Sequence, residues 1–173
     1  MINVAPPAET NASELAELVR EHLDQLATYA THLVGNADEA MDYVAGGIYH
    51  AAKYPPARIR ADGRASLYRA VTRACKHQQC YPPRPHGPAR FFRRHKPLFE
   101  AEFDAESARR MNTVKRALMS IPEPRRAALL LRDLAGLNYA EMATALECSP
   151  ESAGRLLAAA RRDFGTIYRE IAL

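Results

Sequence analysis

The sequence predicts an all-α fold of two small helical domains joined by a proline-rich basic linker. Apolar residues recur at spacings of three and four along most of the 173 residues, which is the period of an amphipathic helix. Proline clusters interrupt this period, and no segment has the alternating pattern of a strand. We place a loose tail at residues 1–11, the first domain at 12–80, the linker at 81–97 and the second domain at 98–173.

Three amphipathic helices make up the predicted first domain. The first helix ends at Gly35, which suits a left-handed cap. Asn36 and Glu39 have the spacing of a capping box at the start of the second helix, which runs as far as Pro55. The third helix covers roughly residues 64–79, with apolar side chains on its inner face. Its outer face is basic and carries Arg69, Arg73 and Lys76.

Residues 81–97 break the helical period. They contain five prolines among unpatterned basic residues. Because proline fixes φ and lacks a backbone donor, we expect an extended, semi-rigid linker. Limited proteolysis is expected to cut the free protein first within this stretch.

The second domain contains the pattern of a helix-turn-helix. Its helices are predicted at residues 98–120, 124–134, 138–147 and 150–171. Asn138 and Glu141 form a capping box, while Ser149 is a good N-cap followed by a proline that suits the first helical position. The last two helices therefore meet at a short turn, as in proteins that insert a recognition helix into DNA. A plain helical hairpin fits the same pattern.

Charge is distributed unevenly along the chain. Residues 1–57 sum to −6, residues 58–97 to +10 and residues 98–173 to zero, for a net charge of +4. A basic block is typical of a surface that binds a phosphate backbone or an acidic partner, although a solvated face also explains such runs. We expect any DNA affinity to lie mainly in residues 58–96 rather than in the second domain.

Composition argues against membrane insertion, secretion and catalysis. No apolar run approaches the roughly 20 residues that span a bilayer, and the first residues do not have the pattern of a secretory signal. Three cysteines fit a reducing cytoplasm better than a disulfide scaffold. The six histidines are scattered, and no glycine-rich phosphate loop or nucleophile turn occurs. We expect a cytoplasmic protein that is not an enzyme, needs no cofactor and contacts no membrane.

A zinc site is the one metal site that the sequence suggests. Cys75, His77, Cys80 and His86 lie close together in the chain. Structural zinc sites favour cysteines about two to four residues apart, and proline-rich turns separate His86 from the other three residues. We therefore predict no metal site.

Two parts of the chain resemble the extracytoplasmic-function (ECF) sigma factors of bacterial RNA polymerase. Residues 117–143, ALMSIPEPRRAALLLRDLAGLNYAEMA, resemble the start of region 4, and the likeness continues to Phe164. Residues 33–44, LVGNADEAMDYV, and 64–73, RASLYRAVTR, resemble region 2. The resemblance implies that region 2 binds core RNA polymerase and melts promoter DNA, while region 4 reads the upstream promoter element. It also implies an anti-sigma factor as a partner.

The resemblance assigns candidate roles to individual residues. Residues that would contact DNA are Arg64, Arg69, Arg73 and Lys76 in the first domain, and Ser149, Ser152, Arg155, Arg161 and Arg162 in the second. Residues that would contact polymerase or another protein partner are Asp42, Tyr43, Ile48 and Leu156.

The chain departs from the family pattern at functional positions. On the polymerase-binding helix the family favours a Gln-Glu pair followed by an aromatic residue, whereas this chain has Ala45, Gly46, Gly47 and Ile48. Ser66 stands where the family usually has a tryptophan used in promoter opening. In the recognition helix, Gly154, Leu156 and Ala159 occupy positions where lysine or arginine is common. We therefore expect Leu156 and Ala159 to form an apolar, protein-contacting patch. Glu147 replaces the usual turn glycine, at a cost of about 1 kcal/mol if it is left-handed.

These departures leave two interpretations open, besides that of an unrelated helix-turn-helix regulator. The first is a divergent ECF-type sigma factor that directs polymerase to promoters. The second is a sigma-like protein that binds an anti-sigma factor or another regulator without reading promoter DNA, because residues 42–44 and 67–69 and the arginine-poor recognition helix also resemble the sigma-like domain of PhyR-type stress response regulators. The receiver domain that those regulators carry is absent from this sequence.

Overall fold

The computed structural model describes residues 7–77 and 105–173, and within these two segments the chain is helical and has no strand. The prediction of an all-α fold is therefore confirmed. The predicted linker, residues 81–97, lies outside the described residues, as do residues 1–6 of the predicted tail. The helices of the first segment are α1 (Pro7–Val34), α2 (Ala37–Ala51), α3 (Pro56–Asp62) and α4 (Arg64–Lys76). Those of the second are α5 (Ala105–Ser120), α6 (Glu123–Leu129), α7 (Tyr139–Leu146) and α8 (Pro150–Ala172), with a π-helical turn at Leu130–Leu134.

Two of the differences from the predicted helix boundaries involve proline. Helix α1 begins at Pro7, so residues 7–11 are helical rather than part of a loose tail. Helix α3 begins at Pro56, where the sequence predicts only the end of a helix. In each case proline occupies the start of a helix, where its fixed φ is suitable and its missing N–H leaves no bond unmade.

The predicted helix caps are present, except that the capping box at Asn36 is half formed, because Glu39 accepts from the Asn36 side-chain amide rather than from its backbone N–H. Gly35 has a φ of 84°, and Asn36 accepts hydrogen bonds from the backbone N–H groups of Asp38 and Glu39. Asn138 and Glu141 form both halves of a capping box at the start of α7. The Ser149 hydroxyl caps α8 by accepting from the backbone N–H of Ser152. Helices α2, α7 and α8 therefore begin where the sequence predicts.

Helix α4 lies at the centre of the described structure. Every residue from 65 to 72 is buried, because α1 and α2 of the first segment and α7 of the second all pack against it. Buried apolar residues of both segments join into one continuous cluster. Whether the chain divides into domains at residues 81–97 stays a prediction.

The Gly46–Gly47 pair allows α2 to approach α4 closely. Both glycines are buried, and a Cβ atom on Gly47 would lie 2.8 Å from the Cα of Val71. These glycines therefore serve helix packing inside the first segment rather than an exposed binding face.

Candidate nucleic-acid interface

The last two helices form the helix-turn-helix that the sequence suggests. Helix α7 ends at Glu147, which adopts a left-handed conformation with φ 54° and ψ 45°. Helix α8 begins two residues beyond Cys148 and is 23 residues long. Its inner face carries Ala153, Leu157 and Ala160, all buried. This anchoring holds the opposite side of α8 toward solvent.

The solvent side of α8 has a modest positive charge. Its exposed residues in the first four turns are Pro150, Glu151, Arg155, Ala158, Arg161 and Arg162. Arg161 Nη2 donates to Asp133 Oδ1 at 2.6 Å, so part of its charge is already balanced. Arg155 Nη2 lies 3.4 Å from the Ser152 hydroxyl at the start of the helix. Arg155 and Arg162 form no ion pair within the described residues, which makes them the available cations of this face.

Leu156 and Ala159, which form the predicted apolar patch of α8, are both half-buried. Leu156 packs against the hydrophobic core, and a protein-contacting patch at these two residues stays a prediction. The exposed apolar side chains beside α8 are instead Leu134 and Tyr139, which are 43% and 48% exposed. Gly154 lies next to the Tyr139 ring. A Cβ atom on Gly154 would be 3.8 Å from Tyr139 Cε1. The helical period of apolar residues does not predict the exposure of Leu134 and Tyr139, since Leu134 ends the π-helical turn and Tyr139 begins α7.

The candidate DNA-binding arginines of α4 make ion pairs inside the molecule. Arg64 donates from Nε and Nη2 to the two carboxylate oxygens of Glu141, at 2.9 and 3.0 Å. Its Nη2 also lies 3.2 Å from the carbonyl oxygen of Gly136. Arg73 Nη1 lies 3.8 Å from Glu147 Oε1. Two arginines of the first segment therefore face two carboxylates of α7 and its C-cap.

Arg69 is a structural cation in this arrangement. Its side chain is buried, donates to Asp62 Oδ2 at 2.9 Å and lies over the Tyr54 ring. A buried arginine that is already paired cannot reach a DNA phosphate without rearrangement, so the predicted DNA contact of Arg69 does not fit this arrangement. Arg58 shares both partners, since it lies 3.6 Å from Asp62 and over the same ring. Lys76, at the end of α4, is exposed.

A groove of about 450 Å³ runs between this arginine cluster and the helix-turn-helix. Arg58 and Arg69 line one side of it, and residues of α7 and of the turn to α8 line the other, namely Ala140, Ala143, Thr144, Glu147, Cys148 and Pro150. The groove marks the place where the two segments meet around polar and small side chains.

The predicted polymerase-binding residues of α2 are divided between surface and interior. Asp42 is exposed, as a surface contact requires. Tyr43 is only 7% exposed, and Ile48 is half-buried against the core, because α2 turns this side toward the neighbouring helices. Ser66, at the position of the family's tryptophan, is fully buried and donates to the Gly63 carbonyl at 2.7 Å. A partner protein therefore has little access to Tyr43, Ile48 and Ser66 in this arrangement.

The cysteines within the described residues have ordinary structural environments. Cys75 and Cys148 are free thiols, and burial raises the pKa of Cys75 to about 12. No group of three or more metal-ligating side chains occurs in the part of the chain that the structure describes. Cys80 and His86 of the considered zinc cluster lie outside the described residues.

Residues 111–164 match the family model of sigma-70, region 4. The match begins within α5 and ends within α8, so it contains α7, the turn and α8 as far as Phe164. No curated protein matches the chain. Residues 111–164 are therefore similar to region 4 of sigma-70 factors, which suggests a role in transcription initiation. No helix among residues 7–77 and 105–173 is long and apolar enough to cross a membrane.

Proposed function

We propose that this protein is a divergent ECF-type sigma factor that directs core RNA polymerase to promoters in the cytoplasm. The observation that carries the proposal is the sigma-70 region 4 match over a helix-turn-helix whose recognition helix keeps its outer face exposed. In this function α8 enters the major groove of the upstream promoter element. The first segment supplies the polymerase contact, with Asp42 as its exposed candidate residue.

The cations of α8 determine the strength and the salt dependence of DNA binding. Arg155 and Arg162 contact phosphates or base edges, and Ser149 and Ser152 lie at the helix N-terminus, which favours a phosphate. Arg161 joins them when a phosphate displaces Asp133. Because few cations take part, the binding depends on polymerase holding the protein near the promoter, and its salt dependence is shallow for a DNA-binding domain.

A second candidate is a sigma-like protein that binds an anti-sigma factor without reading promoter DNA. Two observations favour it. The exposed pair Leu134 and Tyr139 offers apolar area beside α8, and the exposed face of α8 mixes arginines with Glu151 and Ala158. Apolar residues at the edge of a cationic face suit a protein partner better than a hydrated groove.

Co-purification of the tagged protein from its host separates the two functions. The sigma-factor function predicts that the subunits of core RNA polymerase accompany the protein, and that crosslinked promoter DNA is recovered with it. An Arg155→Ala/Arg162→Ala variant is expected to keep polymerase and lose the DNA. Arg109→Ala/Arg110→Ala, which removes two exposed cations of α5, is the matched control. Recovery of a small partner protein in place of polymerase would support the second candidate instead.

A further inference from the structure

The groove beside the helix-turn-helix has a positively charged wall. Arg58 of α3 and Arg69 of α4 both lie on this wall, and they share one carboxylate, that of Asp62. Arg69 makes the closer contact, since its Nη2 donates to Asp62 Oδ2 at 2.9 Å. Arg58 Nε lies 3.6 Å from the same oxygen, which is too long for a normal hydrogen bond. The Arg58 guanidinium therefore keeps its donors for another acceptor.

Stacking on Tyr54 holds the two guanidinium groups in place. The Cζ atoms of Arg58 and Arg69 each lie 5.1 Å from the centroid of the Tyr54 ring. Arg69 is only 6% exposed, and its buried Nε has no hydrogen-bond partner among the described residues. An unsatisfied buried donor is rare in a folded protein, and an anion bound nearby would offset part of its cost. Arg69 thus supplies fixed positive charge, while the exposed Arg58 can touch a ligand.

The opposite wall of the groove suits the larger part of such a ligand. Its apolar part consists of Ala140, Ala143 and Pro150, whose compact side chains leave room for a flat ring. Thr144 adds a hydroxyl group and Glu147 a carboxylate, both of which accept hydrogen bonds from hydroxyl and amino groups. The volume of about 450 Å³ is within the range of small-molecule sites. The groove therefore fits a ligand with an anionic group at one end and a polar-substituted ring at the other.

Glu147 provides its carboxylate at a conformational cost. Its φ of 54° is left-handed, and it is the one such non-glycine residue among those the structure describes. Glycine adopts this conformation without strain, so a glutamate here indicates a use for its side chain. Arg73 Nη1 lies 3.8 Å from Glu147 Oε1, which is too far for a normal hydrogen bond. The carboxylate therefore keeps acceptor sites for a donor in the groove.

We propose that this groove is a binding site for a nucleotide. The phosphate groups of the nucleotide contact Arg58 and are attracted by the charge of Arg69, because guanidinium groups bind phosphates strongly. The base lies against the alanine and proline side chains of the opposite wall. Thr144 and Glu147 accept hydrogen bonds from the ribose and the base. No cation of α8 lines the groove, so this proposal is independent of the proposed function in promoter recognition.

Isothermal titration calorimetry of the full chain with GDP and with ADP tests the proposal. We expect at least one of these nucleotides to bind to one site with a Kd of about 1–100 µM. Arg58→Ala should weaken this binding by roughly tenfold or more, because it removes the direct contact with phosphate. The control is Arg60→Ala, which removes an arginine of the same helix that pairs with Glu14 and does not line the groove.

A steric variant distinguishes a site in the groove from general attraction between nucleotides and a basic protein. Ala140→Leu keeps every charge and fills part of the groove, so it should abolish binding, whereas Ala108→Leu, at an exposed position of α5, should leave binding unchanged. Absence of binding by the wild type would overturn the proposal. Equal weakening by Arg58→Ala and Arg60→Ala, or full binding by Ala140→Leu, would also overturn it. Loss of duplex DNA binding in Arg58→Ala, without nucleotide binding by the wild type, would assign this wall to DNA instead.

Discussion

Gly47 of α2 packs against the backbone of Val71 in α4, so closely that a Cβ atom at Gly47 would lie 2.8 Å from the Val71 Cα. Gly47→Ala must push the two helices apart, and we expect it to lower the free energy of unfolding by about 1–3 kcal/mol. Urea denaturation followed by circular dichroism measures the change. Gly154→Ala is the control, since its Cβ would meet only the Tyr139 ring at 3.8 Å and should stabilise α8 by roughly 0.5–1 kcal/mol.

Arg126 holds together the end of α5 and the start of α6. Its Nη1 donates to the carbonyl oxygens of Leu118, Met119 and Ile121 at 3.2–3.3 Å, and its side chain is buried. Arg126→Met is expected to lower the free energy of unfolding by about 2–4 kcal/mol, because buried acceptors lose a charged donor. The neighbouring Arg125→Met breaks a partly exposed pair with Asp163 and should cost less than about 1 kcal/mol. Equal losses in thermal or urea denaturation would contradict this role of Arg126.

The Arg64–Glu141 pair predicts a pH-dependent contribution to stability. The hydrogen bond from Arg64, helped by the hydrogen bond from the Asn138 N–H and by the charge of Arg64, holds the pKa of Glu141 below its ordinary value of 4.5, against the opposing effect of partial burial. A depressed carboxylate pKa stabilises the fold above the unfolded pKa, and this contribution is lost as pH falls through the folded pKa. Glu141→Gln should therefore cost about 1 kcal/mol near pH 7, and this cost should shrink as pH falls below the ordinary glutamate pKa of 4.5. A pH-independent difference in the urea midpoints would refute the ionic origin.

Strain at Glu147 predicts that glycine is preferred there for stability. Glu147→Gly should raise the free energy of unfolding by up to about 1 kcal/mol, since the left-handed conformation no longer carries a Cβ penalty. Glu147→Ala keeps the Cβ and removes the carboxylate, so it isolates the pairing with Arg73, which is expected to contribute a few tenths of a kcal/mol. A less stable glycine variant would mean that this ion pair outweighs the strain.

Local signals in the sequence predicted much of the fold. Capping residues such as Asn138 and Ser149 satisfy backbone groups a few residues away, so their effect can be read from spacing alone. The positions of proline did not predict helix boundaries uniquely, because proline occurs both after the end of a helix and at the start of one. The reading of Pro55 and Pro56 as a stop missed helix α3 for this reason.

The candidate site was less predictable because it depends on contacts far apart in the chain. Nothing in local spacing pairs Arg64 with Glu141, and the periodicity that exposes Arg69 on an isolated helix cannot anticipate the packing of α7 against α4. The surroundings of Leu156 could not be predicted for the same reason. Its half-burial depends on neighbouring helices, whereas the buried positions Ala153, Leu157 and Ala160 follow from the helical period.

Reconstituted transcription tests the central proposal most directly. Core RNA polymerase of the host is combined with the protein on fragmented host DNA, and the 5′ ends of the transcripts are mapped. If the protein is a sigma factor, we expect transcripts that start at defined positions and share an upstream element. These transcripts should disappear with Arg155→Ala/Arg162→Ala and persist with Arg109→Ala/Arg110→Ala. Transcripts no different from those of core polymerase alone would contradict a role in promoter recognition.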